Sequence, residues 1–235
     1  MDYKAYEEGQ NGDSFWDIAD NQLKDIMLTR INYTKPIKIL NIGCGTAEDT
    51  AILTKHGTVY LSDIDYRPLK NYKGHKIKMV ADAQTLPIRA SEFDVICMFG
   101  SLEHIEDDVK ALDEAARILK PGGMLFITGP SYQWLYSSHD KALLHFRRYT
   151  NKEIRKKMFK FQEIFLSHWN FILFLPIAIL KLKDKNKEAR LHEVKVSKTL
   201  NYIILKILEM ENNLFVKNNI PLPYGANFYG IYKKR

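Results

Sequence analysis

The 235-residue sequence predicts a doubly wound α/β fold on three observations. Short runs of aliphatic and β-branched residues alternate with segments of helical periodicity, the pattern of βαβ units around a parallel sheet. The first run ends in glycines at Gly43 and Gly45, as a tight strand-to-helix turn requires. Apolar residues make up 46% of the chain and charged residues 27%, ordinary for a globular protein. The length suits one well-buried domain with an appended segment.

Taken in order, residues 15–28 place apolar side chains at helical spacing, with Asp13 or Ser14 as N-cap. Pro36 leads into a buried strand over 37–42. A helix over 47–55 follows, and Gly57 stops it. A strand over 59–62, a short helix over 67–72 and a strand over 77–80 repeat the unit. Residues 93–99 are the clearest strand, and a helix over 108–119 closes at Pro121, Gly122 and Gly123. The strand over 124–128 ends the regular alternation.

Beyond Pro130 a polar and aromatic stretch runs to Tyr149. Thr150 caps a helix reaching about Lys160, and 161–169 reads as a strand. Ten apolar residues over 171–180, interrupted by Pro176, precede a charged linker over 181–190. Residues 194–215 form a second long helical pattern, and 226–232 alternate as a closing strand.

In an open α/β sheet, ligands bind beyond the carboxyl ends of the strands, where the strand order reverses. Gly43 and Gly45 let the backbone approach a ligand there, and amides at the start of the next helix favour an anion. A dinucleotide fingerprint wants a third glycine where Glu48 stands, which argues against NAD or FAD. Asp63, about twenty residues on, can accept both hydroxyls of a ribose; Asp63 and Asp65 equally suit a turn before Arg67 and Pro68. Asp82 follows the third strand, where its carboxylate can meet the exocyclic amine of an adenine. Polar groups at three successive strand ends are hard to credit to chance.

The order Asn41-Ile-Gly-Cys-Gly-Thr-Ala47, Ser62-Asp-Ile-Asp65, Ala81-Asp-Ala-Gln-Thr-Leu-Pro87, Phe93-Asp-Val-Ile96, Leu102-Glu-His104 and Lys120-Pro-Gly-Gly123 resembles the class I S-adenosylmethionine-dependent methyltransferases. It is most similar to their type 11 branch, which acts on small molecules, lipids and glycans. The resemblance spans residues 37–129. It implies a Rossmann-like seven-stranded mixed sheet with helices on both faces and an inserted helical cap. It also implies S-adenosylmethionine as cofactor and S-adenosylhomocysteine as product. On that resemblance Asn41, Gly43, Cys44 and Gly45 pass under the methionine part of the cofactor. Asp63 holds the ribose, Ile64 packs on the adenine, and Asp82 with Ala83 meets its edge. Phe99 and the loop from Ser101 to His104 line the other side, with His104 assigned to the cofactor. Two positions depart from the family: an acid is usual where Asn41 stands, and a glycine where Ala47 stands.

The acceptor is approached through residues 131–150. His139, Asp140, His145, Arg147, Arg148 and Tyr149 resemble a His-Asp, His-x-Arg-Arg-Tyr pattern of a subgroup associated with surface glycan or lipid-linked sugar assembly. His139 or His145 suits a general base toward a hydroxyl, with Asp140 orienting one of them. Arg147 and Arg148 suit a phosphate or carboxylate clamp, and Tyr149 stands beside them. Packed or capping roles for these histidines remain the alternative. The expected acceptor is a small molecule, sugar or lipid-linked glycan, methylated on oxygen. No Pro-Pro-Tyr motif follows the fourth strand and no Pro-Cys pair is present, so nucleic acid is disfavoured. A catalytically weak cofactor-binding partner subunit, and a nucleic-acid methyltransferase using the basic C-terminal half, are the rival readings.

Residues 1–140 carry 15 Lys and Arg against 21 Asp and Glu; residues 141–235 carry 20 against 7. Either the C-terminal part faces something anionic, or it is a solvated lysine-rich surface. Residues 171–187 suit peripheral contact with an anionic membrane surface or a roof over the acceptor, paired with 200–208 as a helical hairpin. Cys44 and Cys97 have no Cys-x-x-Cys partners, so no disulfide framework and no metal are expected, and a cytoplasmic setting fits, with or without membrane contact. The N-terminus has no basic segment before an apolar run, hence no signal peptide is expected. One domain is expected, as a monomer or homodimer, with a helical lid over 1–35, a cofactor core over 36–130 and an acceptor segment over 131–235.

Overall fold

The computed structural model describes residues 14–33, 36–71, 77–189 and 196–235. Asp13, Tyr72, Arg190 and Val194, expected at a cap, two helix ends and a linker, lie outside them, as do residues 1–13 of the expected lid.

Seven strands form one sheet: β1 (Lys38–Ile42), β2 (Thr58–Asp63), β3 (Lys78–Val80), β4 (Phe93–Phe99), β5 (Leu119–Pro130), β6 (Phe161–Trp169) and β7 (Asn227–Lys234). Their order is β3-β2-β1-β4-β5-β7-β6. The first five run parallel, and β7 pairs antiparallel with both β5 and β6. The carboxyl ends of β1 to β5 therefore lie along one edge. The chain order reverses between β1 and β4, which opens the crevice there.

The helices are α1 (Phe15–Leu28), α2 (Thr50–Leu53), α3 (Tyr66–Asn71), α4 (Asp108–Ile118), α5 (Ser138–Ala142), α6 (Asn151–Lys157), α7 (Phe174–Asp184) and α8 (Lys198–Glu211). Strand β4 is buried along its whole length, and its side chains alternate between two apolar layers. Val95, Cys97 and Phe99 join Leu23 and Met27 of α1; Ile96 and Met98 join Leu112 and Ala115 of α4. Both faces are thus covered, which is why this strand reads as a continuous apolar run. The predicted caps form where expected: Ser14 accepts from Asp17 N at 3.1 Å, and Thr150 and Glu153 make a reciprocal capping box.

Three expectations are corrected. The helix expected over 47–55 shrinks to the four residues of α2, because Ala47 has φ 64° and breaks the helical path. The anion-binding argument from that helix start falls with it. Strand β5 begins at Leu119 and runs through Pro121 and Gly122, with its register against β4 shifting between Phe93 and Val95. A bulge absorbs the glycines that the sequence pattern reads as a stop. Finally, α8 packs mainly against α1 rather than forming a hairpin with α7. Asn212, just past α8, explains the choice: its amide nitrogen donates to Ala19 O at 2.9 Å, and its oxygen accepts from Trp169 Nε1 at 2.8 Å. Among the residues of α7 only Ala178 is buried.

Candidate active site

The glycine turn, Asp63 and the loop after β4 meet at the β1–β4 crevice. Gly43 has φ 69°, and a Cβ there would stand 2.5 Å from Ser101 Cβ, so the turn packs directly on the loop after β4. Gly45 has φ 50° and donates its N–H to Asp63 Oδ2 at 2.8 Å, while Asp63 Oδ1 accepts from Asp65 N at 2.9 Å. Asp63 is thereby pinned at the carboxyl end of β2. Beside it, Ile64 is 70% exposed, an apolar side chain left available at the crevice. Asp82 accepts from Gln84 N at 2.9 Å, and Ala83 packs against the α4-side core.

Asn41 is 1% exposed, and its amide nitrogen has no hydrogen-bond partner among the described residues. An unmet buried donor is rare and signals a missing partner. Ala47 occupies the left-handed region, at the position where the resemblance expects a glycine, at a cost of roughly 1–2 kcal/mol. Cys44 is buried, and burial with nearby Asp63 pushes its thiol up to about 12, so it is no nucleophile. Phe99 has Lys24 Nζ 5.3 Å from its ring centroid. Lys24 bridges Asp20 at 2.5 Å and Asp49 at 2.7 Å; burial opposes its charge, but those two carboxylates hold it well above the usual lysine range. Its place in the site follows from α1 lying over the turn, a contact no linear spacing announces.

On the acceptor side, Asp140 is completely buried and gathers three basic groups. Arg148 Nε donates to Oδ1 at 2.8 Å, His145 Nδ1 lies 3.0 Å from the same oxygen, and Lys181 Nζ reaches Oδ2 at 3.3 Å. Burial pushes the Asp140 carboxyl up, but His145, Arg148 and Lys181 together outweigh it and hold it well below the usual carboxylate range. Asp108, at the start of α4, does the same work nearby. It accepts from Tyr149 Oη at 2.8 Å, Arg147 Nη1 at 2.9 Å and Lys157 Nζ at 2.7 Å.

These contacts change the reading of the motif. Arg147 and Arg148, expected to clamp an acceptor, are both committed to protein carboxylates, and Arg148 also donates to Ser131 O at 2.9 Å. Tyr149 is 1% exposed and bonds Asp108 and Leu102 O. Arg147 and Tyr149 tie the 131–150 segment to α4 and to the loop after β4, while Arg148 cross-links the segment within itself. What they leave pointing inward is His145. Its ring meets His104 edge-on, with centroids 4.5 Å apart. His104, expected on the cofactor side, therefore sits at the junction with the acceptor segment; burial first, then His145, push its imidazole down to about 3. His139 is half-buried on α5, next to Asp140 in sequence and outside the His104–His145 pair.

Glu103 completes the group. It is 4% exposed, burial raises its carboxyl, and its Oε2 has no partner among the described residues. Nothing in the linear pattern singles out Glu103; its only signal is its position next to His104 just past a buried strand end. The unmet Asn41 donor, the close turn on Ser101 and the pinned Asp63 beside exposed Ile64 fit an adenosine cofactor whose amino-acid end passes the turn. Past the end of β4 the arrangement adds a polar group of two histidines and a carboxylate.

Residues 40–127 match the family described as Methyltransferase domain. An uncharacterised protein of Methanocaldococcus jannaschii is 28% identical over 160 residues, 67% of each chain. A demethylmenaquinone methyltransferase of Staphylococcus saprophyticus is 33% identical over 134 residues, 50% of this chain and 58% of that one. The chain thus spans between half and two thirds of these curated relatives. Among solved structures, a possible histamine N-methyltransferase of Thermotoga maritima superposes with TM-score 0.60 over 99% of this chain and 96% of its own, at 17% identity. A methyltransferase of Archaeoglobus fulgidus superposes with TM-score 0.57 over 91% and 94%, at 15% identity. Both likenesses show the fold. Sheet order, glycine turn and strand-end acids agree with these likenesses: over residues 40–127 the chain matches the methyltransferase domain family, on the fold that the solved S-adenosylmethionine-dependent methyltransferases share.

Proposed function

We propose that the protein transfers the methyl group of S-adenosylmethionine to an oxygen of a small-molecule, sugar or lipid-linked acceptor. The observation that carries this reading is the Asp140–His145 pair, held at 3.0 Å beside His104 and Glu103 past the end of β4. When bound, the cofactor supplies an electrophilic methyl on a sulfonium sulfur. Asp63 would orient the ribose and the Gly43–Gly45 turn would bed the amino-acid end. With Nδ1 donated to Asp140, His145 keeps Nε2 to take the acceptor hydroxyl's proton as the oxygen–methyl bond forms and the sulfur–methyl bond breaks. Much of the rate would come from positioning, since a sulfonium methyl is already reactive.

A lipid-linked acceptor is supported by α7, where Leu175 is 68% exposed and Ile179, Leu180 and Leu182 are exposed beside Lys183 and Lys185. No helix among the described residues is long and apolar enough to cross a membrane. Such a helix suits contact with an anionic surface better than it suits a buried roof. A second reading, methylation at carbon of an apolar ring compound, is favoured by the relatives named for demethylmenaquinone. It is also favoured by the aromatic wall of Tyr132, Trp134, Phe174 and Tyr224.

Calorimetric titration with S-adenosylhomocysteine tests the cofactor, and absence of binding overturns both readings. Incubation with isotopically labelled S-adenosylmethionine and candidate acceptors, with mass spectrometry and NMR of the product, separates an O-methyl from a C-methyl group.

A further inference from the structure

We propose that Glu103, His104 and His145 form a binding site for one divalent first-row metal ion of the zinc, iron(II) or manganese kind, on the acceptor side of the crevice. One ligand atom from each of the three lies within 4.8 Å of the others. Metal–ligand bonds of about 2.0–2.2 Å place neighbouring ligands roughly 3.0–3.4 Å apart, so small side-chain rotations close the set. Two imidazoles and one carboxylate are the donor set that such metals share, and the absence of a thiolate argues against copper(I).

Three further observations point to a ligand rather than to a packed cluster. Glu103 is 4% exposed, yet its Oε2 has no hydrogen-bond partner among the described residues. Buried carboxylate oxygens are otherwise met by donors or cations. Two glycines flank this carboxylate at contact distance, a Cβ at Gly129 falling 3.4 Å from Oε2 and one at Gly100 3.7 Å from Oε1, and neither brings a polar side chain to it. His145 already has the outer partner that metal-binding histidines take, with Nδ1 at 3.0 Å from Asp140 Oδ1 and Nε2 left to ligate. Arg148 in turn fixes Asp140 at 2.8 Å.

Three protein ligands leave coordination positions open, as in catalytic rather than structural sites. Resting on the methyltransferase reading above, those positions would take the acceptor's oxygen. A hydroxyl coordinated there would give up its proton to solvent at lower pH, and more than one open position would favour acceptors carrying two adjacent oxygens that chelate. In that case the metal, rather than His145, prepares the nucleophile.

The test is equilibrium dialysis of the metal-stripped full chain against Zn2+, with elemental analysis, and titration with Co2+ followed by its visible absorption. The expected result is one equivalent per chain. Glu103→Gln and His145→Ala should each weaken binding by about 100-fold or more, Asp140→Asn by about 10–100-fold, and His139→Ala not at all. Retained S-adenosylhomocysteine binding certifies that Glu103→Gln, which preserves shape, is folded. Sub-stoichiometric metal, or unchanged affinity in folded Glu103→Gln, overturns the proposal. S-adenosylhomocysteine binding without metal binding would leave the methyltransferase reading standing and remove only the metal.

Discussion

Replacing Asp140 with Asn keeps the side chain's shape and removes its charge. Asp140 is completely buried, Arg148 is 7% exposed, and Lys181 has a side chain 18% exposed. The substitution therefore strands two largely desolvated cations. Breaking a buried ion pair by removing one partner costs about 3–5 kcal/mol, a large part of the 5–15 kcal/mol that holds a typical domain together. With a urea m-value near 2 kcal/mol/M, the midpoint should fall by roughly 1.5–2.5 M at pH 7. The pH dependence carries a second signature. Asp140's carboxyl is held below its ordinary value of 3.8 in the folded protein, so its contribution is complete at neutral pH and is lost progressively as the pH falls below 3.8 toward the folded value. The gap between wild type and variant should narrow on acidification below about pH 4. Lys181→Met is the control. Burial, with Arg148 adding, pulls Lys181 down to about 8, and Asp140 keeps His145 and Arg148 without it. Its loss should cost under about 1 kcal/mol. A loss below 1 kcal/mol in Asp140→Asn at pH 7, or a gap that does not narrow in acid, would refute the network as the anchor of His145.

Three further outcomes are expected. Ala47→Gly should raise stability by about 0.5–1 kcal/mol, seen as a higher melting temperature, because φ 64° suits glycine; an unchanged or lower temperature counts against strain there. Asp63→Ala should weaken S-adenosylhomocysteine binding at least about tenfold by calorimetry, and a wild-type affinity would remove the ribose assignment. Asn41→Asp should tighten the same ligand by about tenfold, since a carboxylate can meet the cofactor's ammonium where the amide cannot. Equal or weaker binding would show that another acid near the turn, such as Asp20 or Asp49 beside Lys24, already serves that end.

The geometry of the candidate cofactor crevice was legible because it is made of local pieces. Each strand run, its terminal acid and the next turn are contiguous, so Gly43, Gly45, Asp63 and Asp82 carry their geometry in their own neighbourhoods. The acceptor half was legible only as a set of names. His145, Arg148 and Tyr149 are visible in the chain as reactive groups, and Asp140 is expected beside one of the histidines, but which groups the two carboxylates Asp108 and Asp140 take up is set by the folded chain. Asp108 claims Tyr149, Asp140 claims Arg148, and Ser131 O takes a second bond from Arg148. The apolar run of α7 reads from the sequence as a roof over the acceptor or as a membrane-facing surface; in the folded chain only its Ala178 is buried.

What the sequence alone determined is therefore the fold class, the order of βαβ units through β5 and the nature of the cofactor. Periodicity and turn chemistry act over a few residues, and a parallel sheet brings successive strand ends to one edge without further instruction. The tertiary structure decided that Ala47 takes a glycine's conformation, that α8 covers α1, and that two arginines are structural anchors. It also brought Glu103 and His104 against His145. Those outcomes depend on which surfaces meet when β7 inserts between β5 and β6, and a pairing between distant segments leaves no period in the chain to read.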